Sequence, residues 1–253
     1  MIKRMLICSA VIAVIAICNC LSASVFDVKV KYWIPDFSAD VRVDDNGIKG
    51  TTVDIDKDLG VDTDENVFPV EVGLNLGERL RLWFGYTSIS LEGSAKVNKT
   101  IVFAGETFTV NAEIESKVEM SGIEGGIEYA IFSTEKFQAG PCITAVYFDG
   151  TAEIRDRFSL ISAEGELSAV VPSIGGFIRI NIIKDKCDIE GRLTGFVLDD
   201  NTFIDGVVEA KYLVLKNLGI VAGYRDRRVE VEEDDVYVDA SLSGFFLGAI
   251  LSF

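Results

Sequence analysis

Histidine is absent from this chain of 253 residues, and the absence bears directly on enzymatic chemistry. Enzymes that act through Ser, Cys or Thr nucleophiles depend on a nearby general base, which is most often histidine. No nucleophile and base can be paired here from their spacing. We therefore expect a protein that is not an enzyme, with no catalytic residues and no organic cofactor.

Basic residues are scarce as well. The chain has 24 Lys and Arg against 40 Asp and Glu, which gives a formal net charge of -16. Proteins that bind nucleic acid carry basic surfaces that release counterions from the phosphates, and no basic stripe exists in this sequence. We therefore expect no nucleic-acid partner.

Long apolar runs are missing beyond the first residues. Lys3 and Arg4 precede the apolar stretch Met5–Ile17, and small residues follow it. This pattern is typical of a secretory signal peptide, and the stretch is short for a retained transmembrane anchor. We predict a signal peptide over residues 1–23 and one domain over residues 24–253. No later stretch approaches 18 apolar residues, so the sequence predicts no spanning helix.

Cysteine is rare in the predicted mature part, which retains Cys142 and Cys187. An exported chain with two cysteines can form one disulfide. The alternation of side chains places these two on non-neighbouring strands with opposite facings. A disulfide requires close, facing Cβ atoms, so the pattern favours two free thiols.

The hairpin Val67–Tyr86 shows the pattern on which the rest of the chain is built. Apolar and polar residues alternate on both sides of the tight link Gly77-Glu78. A period of two residues indicates strands, and a short link that contains glycine indicates an antiparallel pair. The same alternation recurs along the mature chain and predicts ten strands, with eight as the alternative.

The connections between these strands alternate between short turns and long polar segments. The short ones are Gly77-Glu78, Ser133–Glu135, Asn181–Asp185 and Lys216-Asn217. Residues 36–66 and 88–115 form long segments that we place outside the cell, the second with a hairpin projecting beyond the barrel. Polar loops are predicted over residues 199–206 and 226–235, and a bulge near residues 121–122. This rhythm predicts an all-β fold, a single antiparallel up-and-down transmembrane β-barrel.

Charged residues share the strand faces opposite the apolar ones, and their signs nearly cancel. An unpaired ion outside bulk water is costly, so a narrow lumen requires such a balance. The apolar faces would then meet hydrocarbon, where a Lys or Arg at the midplane costs about 2–4 kcal/mol. The predicted lumen charges are Asp27, Lys29, Lys31, Glu71, Arg79, Arg81, Glu124, Glu128, Arg179, Asp188, Glu190, Arg192, Glu209, Lys211 and Arg225.

Aromatic residues fall near the ends of the predicted strands. Two girdles of this kind mark the interfaces of membrane barrels. Those towards the long loops are Tyr32, Tyr86, Tyr147 and Tyr224, and those towards the short turns are Phe26, Phe132, Phe137 and Phe253.

The final residues read FLGAILSF. Gly248, Leu251 and the terminal Phe253 resemble the carboxyl-terminal assembly signal of bacterial outer-membrane barrels. Such a last strand can pair with the first one and remove both edges. The mature chain resembles small barrels of the OmpA, OmpW and opacity-protein kind. The resemblance implies an integral outer-membrane protein, a monomer, with lipid, lipopolysaccharide and the barrel-assembly machinery as partners.

An acidic stretch in the first long segment has the spacing of a calcium loop. Asp54, Asp56, Asp58, Asp62 and Glu65 hold positions one, three, five, nine and twelve. The glycine required at position six for the sharp turn stands at position seven instead. The alternatives are a calcium site, an acidic loop in solvent, and a loop bridged by divalent ions to lipopolysaccharide.

Two classes of function fit these observations. One is an outer-membrane barrel with a narrow or occluded lumen and a structural or surface-interaction role. The other is a narrow porin-like channel for small solutes or ions. Ten strands enclose slightly more space than the eight that side chains just fill. Trp33, Trp83 and Phe177 on the lumen face favour occlusion.

Overall fold

Ten long strands make up the barrel in the computed structural model, which describes residues 25–45, 47–63, 65–159, 161–198, 201–233 and 235–253. The predicted signal peptide lies outside these residues. The strands are β1 (Phe26–Val43), β2 (Val70–Leu76), β3 (Leu80–Lys96), β4 (Glu113–Tyr129), β5 (Phe137–Asp156), β6 (Ser162–Ile183), β7 (Cys187–Leu198), β8 (Asn201–Leu213), β9 (Leu218–Glu233) and β10 (Val236–Ser252). Short strands also cover Val53–Asp54, Ile101–Phe103, Glu106–Phe108 and Phe132–Ser133.

Each strand pairs antiparallel with its neighbours in sequence, and β10 pairs with β1 to close the barrel. Val30 on β1 lies opposite both Ala249 on β10 and Val70 on β2. Closure pairs the first strand with the last, so the backbone hydrogen bonds of the short-turn half are satisfied within the wall. The prediction of ten strands is confirmed and the alternative of eight is wrong. The described part of the chain contains no helix long and apolar enough to cross a membrane.

A continuous apolar belt surrounds the half of the barrel that carries the short turns, which we call the short-turn end. Alternate side chains on every strand point outward there and are exposed apolar groups. One per strand, in order, they are Val30, Val70, Phe84, Ile127, Ile143, Ile174, Leu193, Val208, Ile220 and Leu247. So large an exposed apolar surface is typical of contact with lipid.

The pattern reverses towards the other end, the long-loop end. On β1 the outward side chains change from Ile34 to Asp36, and the inward ones from Lys31 to Phe37. The strand continues without interruption, but its outer face now meets water and its inner face forms an apolar core. The reversal follows from the change of solvent along one strand, because hydrocarbon and water select opposite side chains.

The same reversal explains why a bulge was predicted in β4, where the structure has none. Tyr86 lies opposite Ile123 and Ser88 opposite Ser121, so β3 and β4 keep one register throughout. Val118 points inward as Glu124 does, although the first is apolar and the second charged. The prediction of a bulge at residues 121–122 was wrong. Where the outer face passes from lipid to water, the apolar residues move to the inner face, and in the sequence this looks like a one-residue shift of the alternation.

The strands at this end are longer than predicted for the same reason. Residues 201–206 belong to β8 and residues 226–233 to β9, where polar loops had been expected. Their outward side chains are polar because water covers them, and a polar strand resembles a loop in sequence. Residues 199, 200 and 234 lie outside the described part.

Residues 36–43 of the predicted first long segment belong to β1, and the rest of the segment completes the wall between β1 and β3 at the long-loop end. Val53–Asp54 pairs with β1, Val67 forms a bridge with β1, and Val61 bridges to Gly93 on β3. β2 is only seven residues long, so the described parts of residues 44–69 stand in for its missing upper half. Their inward side chains Val53, Ile55, Leu59, Val61 and Val67 are all buried.

The hairpin in the second long segment folds onto this wall instead of projecting. Ile101, Phe103 and Phe108 are almost fully buried and join the same core as the first segment. The Thr51 N–H donates to the carbonyl of Val102 at 2.8 Å. The expected hairpin is confirmed, but its predicted projection was wrong, because three large apolar side chains are stabilised by burial.

Candidate functional site: the charged lumen

Sixteen charged side chains point into the middle of the barrel and pair with one another. They stand on the face opposite the apolar belt, so the alternation of the strands fixes their direction. Eight are basic, Lys29, Lys31, Arg81, Arg179, Arg192, Lys211, Arg225 and Arg227, and eight are acidic, Asp27, Glu71, Glu124, Glu128, Asp188, Glu190, Asp205 and Glu209. Within this network the charges balance.

Two lysines of β1 bridge two carboxylates across the lumen. Lys29 Nζ lies 2.9 Å from Glu71 Oε1 on β2 and also contacts Glu209 on β8. Lys31 Nζ lies 3.1 Å from Glu71 and 3.0 Å from Glu209. Since β2 and β8 are not neighbours in the wall, these ion pairs join opposite sides of the barrel.

Arg81 on β3 forms a two-pronged ion pair with Asp27 on β1. Nη1 donates to Oδ2 and Nη2 to Oδ1, both at 3.0 Å. The same guanidinium lies 3.5 Å from Glu71. Fork-to-fork pairing of this kind combines strength with a fixed geometry.

Arg81 forms no ion pair with Glu124 or Glu128 on the neighbouring strand β4, although Glu128 lies opposite it in the register. Arginines of β6 and β7 hold Glu128, and arginines of β9 hold Glu124. Arg79 is not a lumen residue. It is exposed in the turn Gly77–Arg79, which takes three residues where two had been predicted. Arg79 is therefore the last residue of the turn, one position before β3 begins, and it does not belong to the inward face of the strand.

Glu128 on β4 is fully buried between two arginines. Arg192 Nη1 donates to Oε1 at 3.1 Å, and Arg179 Nη2 to Oε2 at 3.3 Å. Arg179 also donates to Glu190 at 2.5 and 2.8 Å. The Arg192 guanidinium stacks 3.9 Å above the ring of Trp83, which adds a cation–π contact to the ion pair.

A four-residue group closes the network towards the long-loop end. Arg225 donates to Glu124 at 3.1 and 2.7 Å and to Asp205 at 2.9 and 2.6 Å. Arg227 donates to Asp205 at 3.0 Å and also contacts Glu124. Asp205 and Arg227 were not among the predicted lumen charges, because both lie in segments predicted as polar loops. They continue the period of two that runs through Val207 and Arg225.

Apolar side chains flank the charged zone on both sides. At the short-turn end Leu213, Val221 and Ile250 are buried together, near the ion pair between Lys211 and Asp188 at 2.6 Å. At the long-loop end the core formed with the first long segment begins with the inward ring of Trp33. The inward placement of Trp33, Trp83 and Phe177 is as predicted: each exposes at most 4% of its surface.

The acidic stretch of the first long segment is arranged by its own hydrogen bonds. Asp54 accepts from the backbone N–H groups of Asp56 and Lys57 at 3.1 and 3.0 Å and pairs with the Lys57 amine at 2.5 Å. Burial raises the pKa of this carboxyl, but the bonds from Lys57 outweigh it and leave the pKa below its usual value. Asp58 pairs with Lys99 at 2.6 Å.

The remaining acids of that stretch, Asp56, Asp62 and Glu65, are exposed. Among the residues that the structure describes, no three acidic, cysteine or histidine side chains converge in the manner of a metal site. The structure therefore does not bring the five predicted calcium ligands together.

The terminal residues lie on the seam between β10 and β1. Phe253 and Phe26 exchange backbone hydrogen bonds at 2.8 and 3.2 Å, and their rings are 6.5 Å apart. Leu251 points outward opposite Val28. A Cβ on Gly248 would lie 2.3 Å from the carbonyl oxygen of Val30, so glycine permits the close approach of the two strands.

The two cysteines that the structure describes are free, as predicted. Cys142 is buried on the inner face of β5, and Cys187 stands half-buried at the start of β7. The strands are separated by β6.

No protein-family model and no curated protein sequence matches the chain. Solved structures of outer-membrane barrels do match. The outer membrane protease OmpT from Escherichia coli is 9% identical, with a TM-score of 0.63 over 93% of this chain and 99% of that one. Ail, the attachment invasion locus protein of Yersinia pestis, is 12% identical, with a TM-score of 0.38 over 91% and 100%. Neisserial surface protein A is 13% identical, with a TM-score of 0.34 over 90% and 97%.

The first of these matches shows a shared fold. It shows nothing about activity, because proteins with the same fold and so little sequence identity can have unrelated functions. Together with the closed ten-stranded wall and its apolar belt, it identifies the chain as an integral β-barrel of the bacterial outer membrane.

Proposed function

We propose that this barrel is non-enzymatic, that its lumen is occluded, and that it acts in a structural or surface-interaction role through the face it presents outside the cell. The observation that carries the proposal is the filling of the lumen. Apolar side chains pack at each end, and paired ions cross the middle from wall to wall. A solute pathway would have to pass all three zones.

The ion pairs resist opening because each buried charge depends on its partner. Removing one member of a buried pair costs about 3–5 kcal/mol, since the other charge is left without compensation. Lys29 alone contacts two carboxylates, and Glu128 contacts two arginines. Opening the lumen would break several such pairs together, which favours a permanently filled interior.

The outer wall above the apolar belt supplies the surface for an interaction. Its outward side chains are mainly acidic and extend from strands that are rigidly paired. They include Asp36, Asp40, Glu92, Glu119, Glu164, Glu166, Glu230 and Asp239. A partner with basic groups, or one that binds through divalent cations, has the complementary charge.

An enzymatic role is the main alternative from another class, because OmpT is a protease. The present chain has no histidine to act as general base or relay, and the fold alone does not carry a function. The charged lumen residues are held in ion pairs, which favours a stabilising role over a catalytic one.

A narrow channel is the second candidate, favoured by the polar middle of the lumen. Conductance of the refolded protein in planar bilayers distinguishes the two functions. We expect no steady conductance from the unmodified barrel. Arg81→Ala should introduce ion leakage, because it strands Asp27 in the lumen.

The matched control is Arg79→Ala. It removes the same type of side chain two positions away, but from an exposed turn. We therefore expect no conductance from this variant. A large steady conductance in the unmodified protein that Arg81→Ala leaves unchanged would overturn the occluded lumen and establish the channel.

A further inference from the structure

A groove of about 530 Å³ crosses the outer wall from β6 to β9, within the apolar belt. Outward glycines on three successive strands, Gly176, Gly191 and Gly206, form its floor. Apolar side chains such as Leu193 and Val208 rise beside them. We call this feature the wall groove.

The backbone does not require two of these three glycines, whereas a Cβ on Gly176 would lie 3.3 Å from the carbonyl oxygen of Gly140. Neither Gly191 nor Gly206 has a positive φ. A Cβ on Gly191 would lie 3.4 Å from Ile178, and one on Gly206 would lie 3.5 Å from Leu193, so a methyl group would be in ordinary contact. Glycine weakens a strand and leaves its site unfilled. Glycine at Gly191 and Gly206 therefore keeps the groove open, because any larger residue would place its side chain in it.

The groove extends across about half of the hydrocarbon core, which is the thickness of one leaflet. Its β6 end is Gly176, which lies about 20 Å along the strand below Val170, the last apolar outward residue. Its β9 end is Asp226, the first polar outward residue after Tyr224. The groove therefore rises from the middle of the apolar belt to its boundary at the long-loop end.

An ion pair stands at the upper end of the groove, where Asp226 belongs to the lining and Arg228 lies just beyond it. The Arg228 side chain is 68% exposed and lies two positions beyond Asp226, to which it donates at 3.2 and 3.4 Å. An apolar groove that ends beneath an exposed arginine has the polarity of an amphiphile with an acyl chain and an anionic headgroup. Arginine is well suited to phosphate.

We propose that the wall groove binds an acyl chain of lipopolysaccharide, with a lipid A phosphate at Arg228. With the long loops outside the cell, the groove lies in the outer leaflet, where lipopolysaccharide is the lipid to be expected. This site is independent of the state of the lumen, so it stands whether or not the barrel conducts.

Native mass spectrometry of the delipidated, refolded barrel, titrated with rough lipopolysaccharide, tests the site. We expect one tightly retained molecule. Gly191→Leu and Gly206→Leu fill the groove and should each weaken retention by about tenfold or more. Ala145→Leu adds the same side chain to the outer face of β5, outside the groove, and should bind as the unmodified protein does.

Arg228→Ser should also weaken binding, whereas Arg155→Ser should not. Arg155 is the matched residue, because it too is exposed and pairs with the acid two positions before it, Glu153. Heat-modifiable migration in gels checks that every variant is folded. Equal retention by Gly206→Leu and the unmodified barrel would overturn the proposal.

Two further results would also contradict it. Phosphatidylglycerol retained as tightly as lipopolysaccharide would assign the groove to phospholipid or to lipid in general. A dimer that Gly206→Leu dissociates would assign it to a second copy of the barrel.

Discussion

Inside the barrel, Arg225 donates two hydrogen bonds to Asp205, from Nε to Oδ1 at 2.9 Å and from Nη2 to Oδ2 at 2.6 Å. The two residues are on neighbouring strands, β8 and β9, and both are at least 92% buried. Asp205 also receives Arg227, so one carboxylate holds two guanidinium groups. Its loss would leave two buried cations with Glu124 alone.

Asp205→Ala should therefore destabilise the barrel strongly. The expected loss in the free energy of unfolding is about 3–5 kcal/mol, because a buried charge is left uncompensated. Urea unfolding of the refolded protein in detergent or lipid measures it. Asp36→Ala, an exposed acid on the outer wall, is the control and should change stability by less than about 0.5 kcal/mol. Equal midpoints for the two variants would show that the Asp205 site is hydrated.

Gly126 should not tolerate a methyl group, whereas Gly122 on the same strand face should. A Cβ on Gly126 would lie 2.5 Å from Nε1 of the buried Trp83 ring, while a Cβ on Gly122 would meet nothing closer than 3.9 Å. Gly126→Ala should cost about 1–3 kcal/mol through overpacking. Gly122→Ala should be neutral or slightly stabilising. Thermal unfolding followed by tryptophan fluorescence compares them, and a reversed order would contradict the packing.

Phe253→Ala should reduce the amount of protein assembled in the outer membrane. Its ring packs near Phe26 on the lipid-facing side of the closing seam. Ser252→Ala is the control, because Ser252 points inward and pairs through its backbone. Immunoblots of outer-membrane fractions measure both variants. Equal levels would show that the terminal ring is dispensable for closure.

Single cysteines at the two ends of the barrel should report its orientation. In a Cys187→Ser background, which leaves only the buried Cys142 in the predicted mature chain, we expect Lys49→Cys to react with an impermeant maleimide on intact cells. Lys216→Cys lies in a short turn and should react only after the outer membrane is permeabilised. Both side chains are exposed in the structure. The opposite result would invert the barrel and move the wall groove to the inner leaflet.

The sequence alone determined the architecture at the short-turn end. The period of two in Val67–Tyr86 and its repeats defined ten strands and their lipid face. It also defined fourteen of the sixteen charges in the lumen network, because lipid tolerates almost no charge and alternation sends every ion inward. The inward tryptophans and the free thiols followed from the same rule.

Only the tertiary structure decided what lies beyond the belt. There the outer face meets water, so strands such as residues 201–206 look like loops, and the apolar interior around Val118 looks like a shifted phase. The main partners of Arg81 and Glu128 were also hidden, because Asp27, Arg179 and Arg192 stand on strands that do not adjoin theirs. Alternation fixes which way a side chain points, but closure of the barrel fixes which opposite charge it meets.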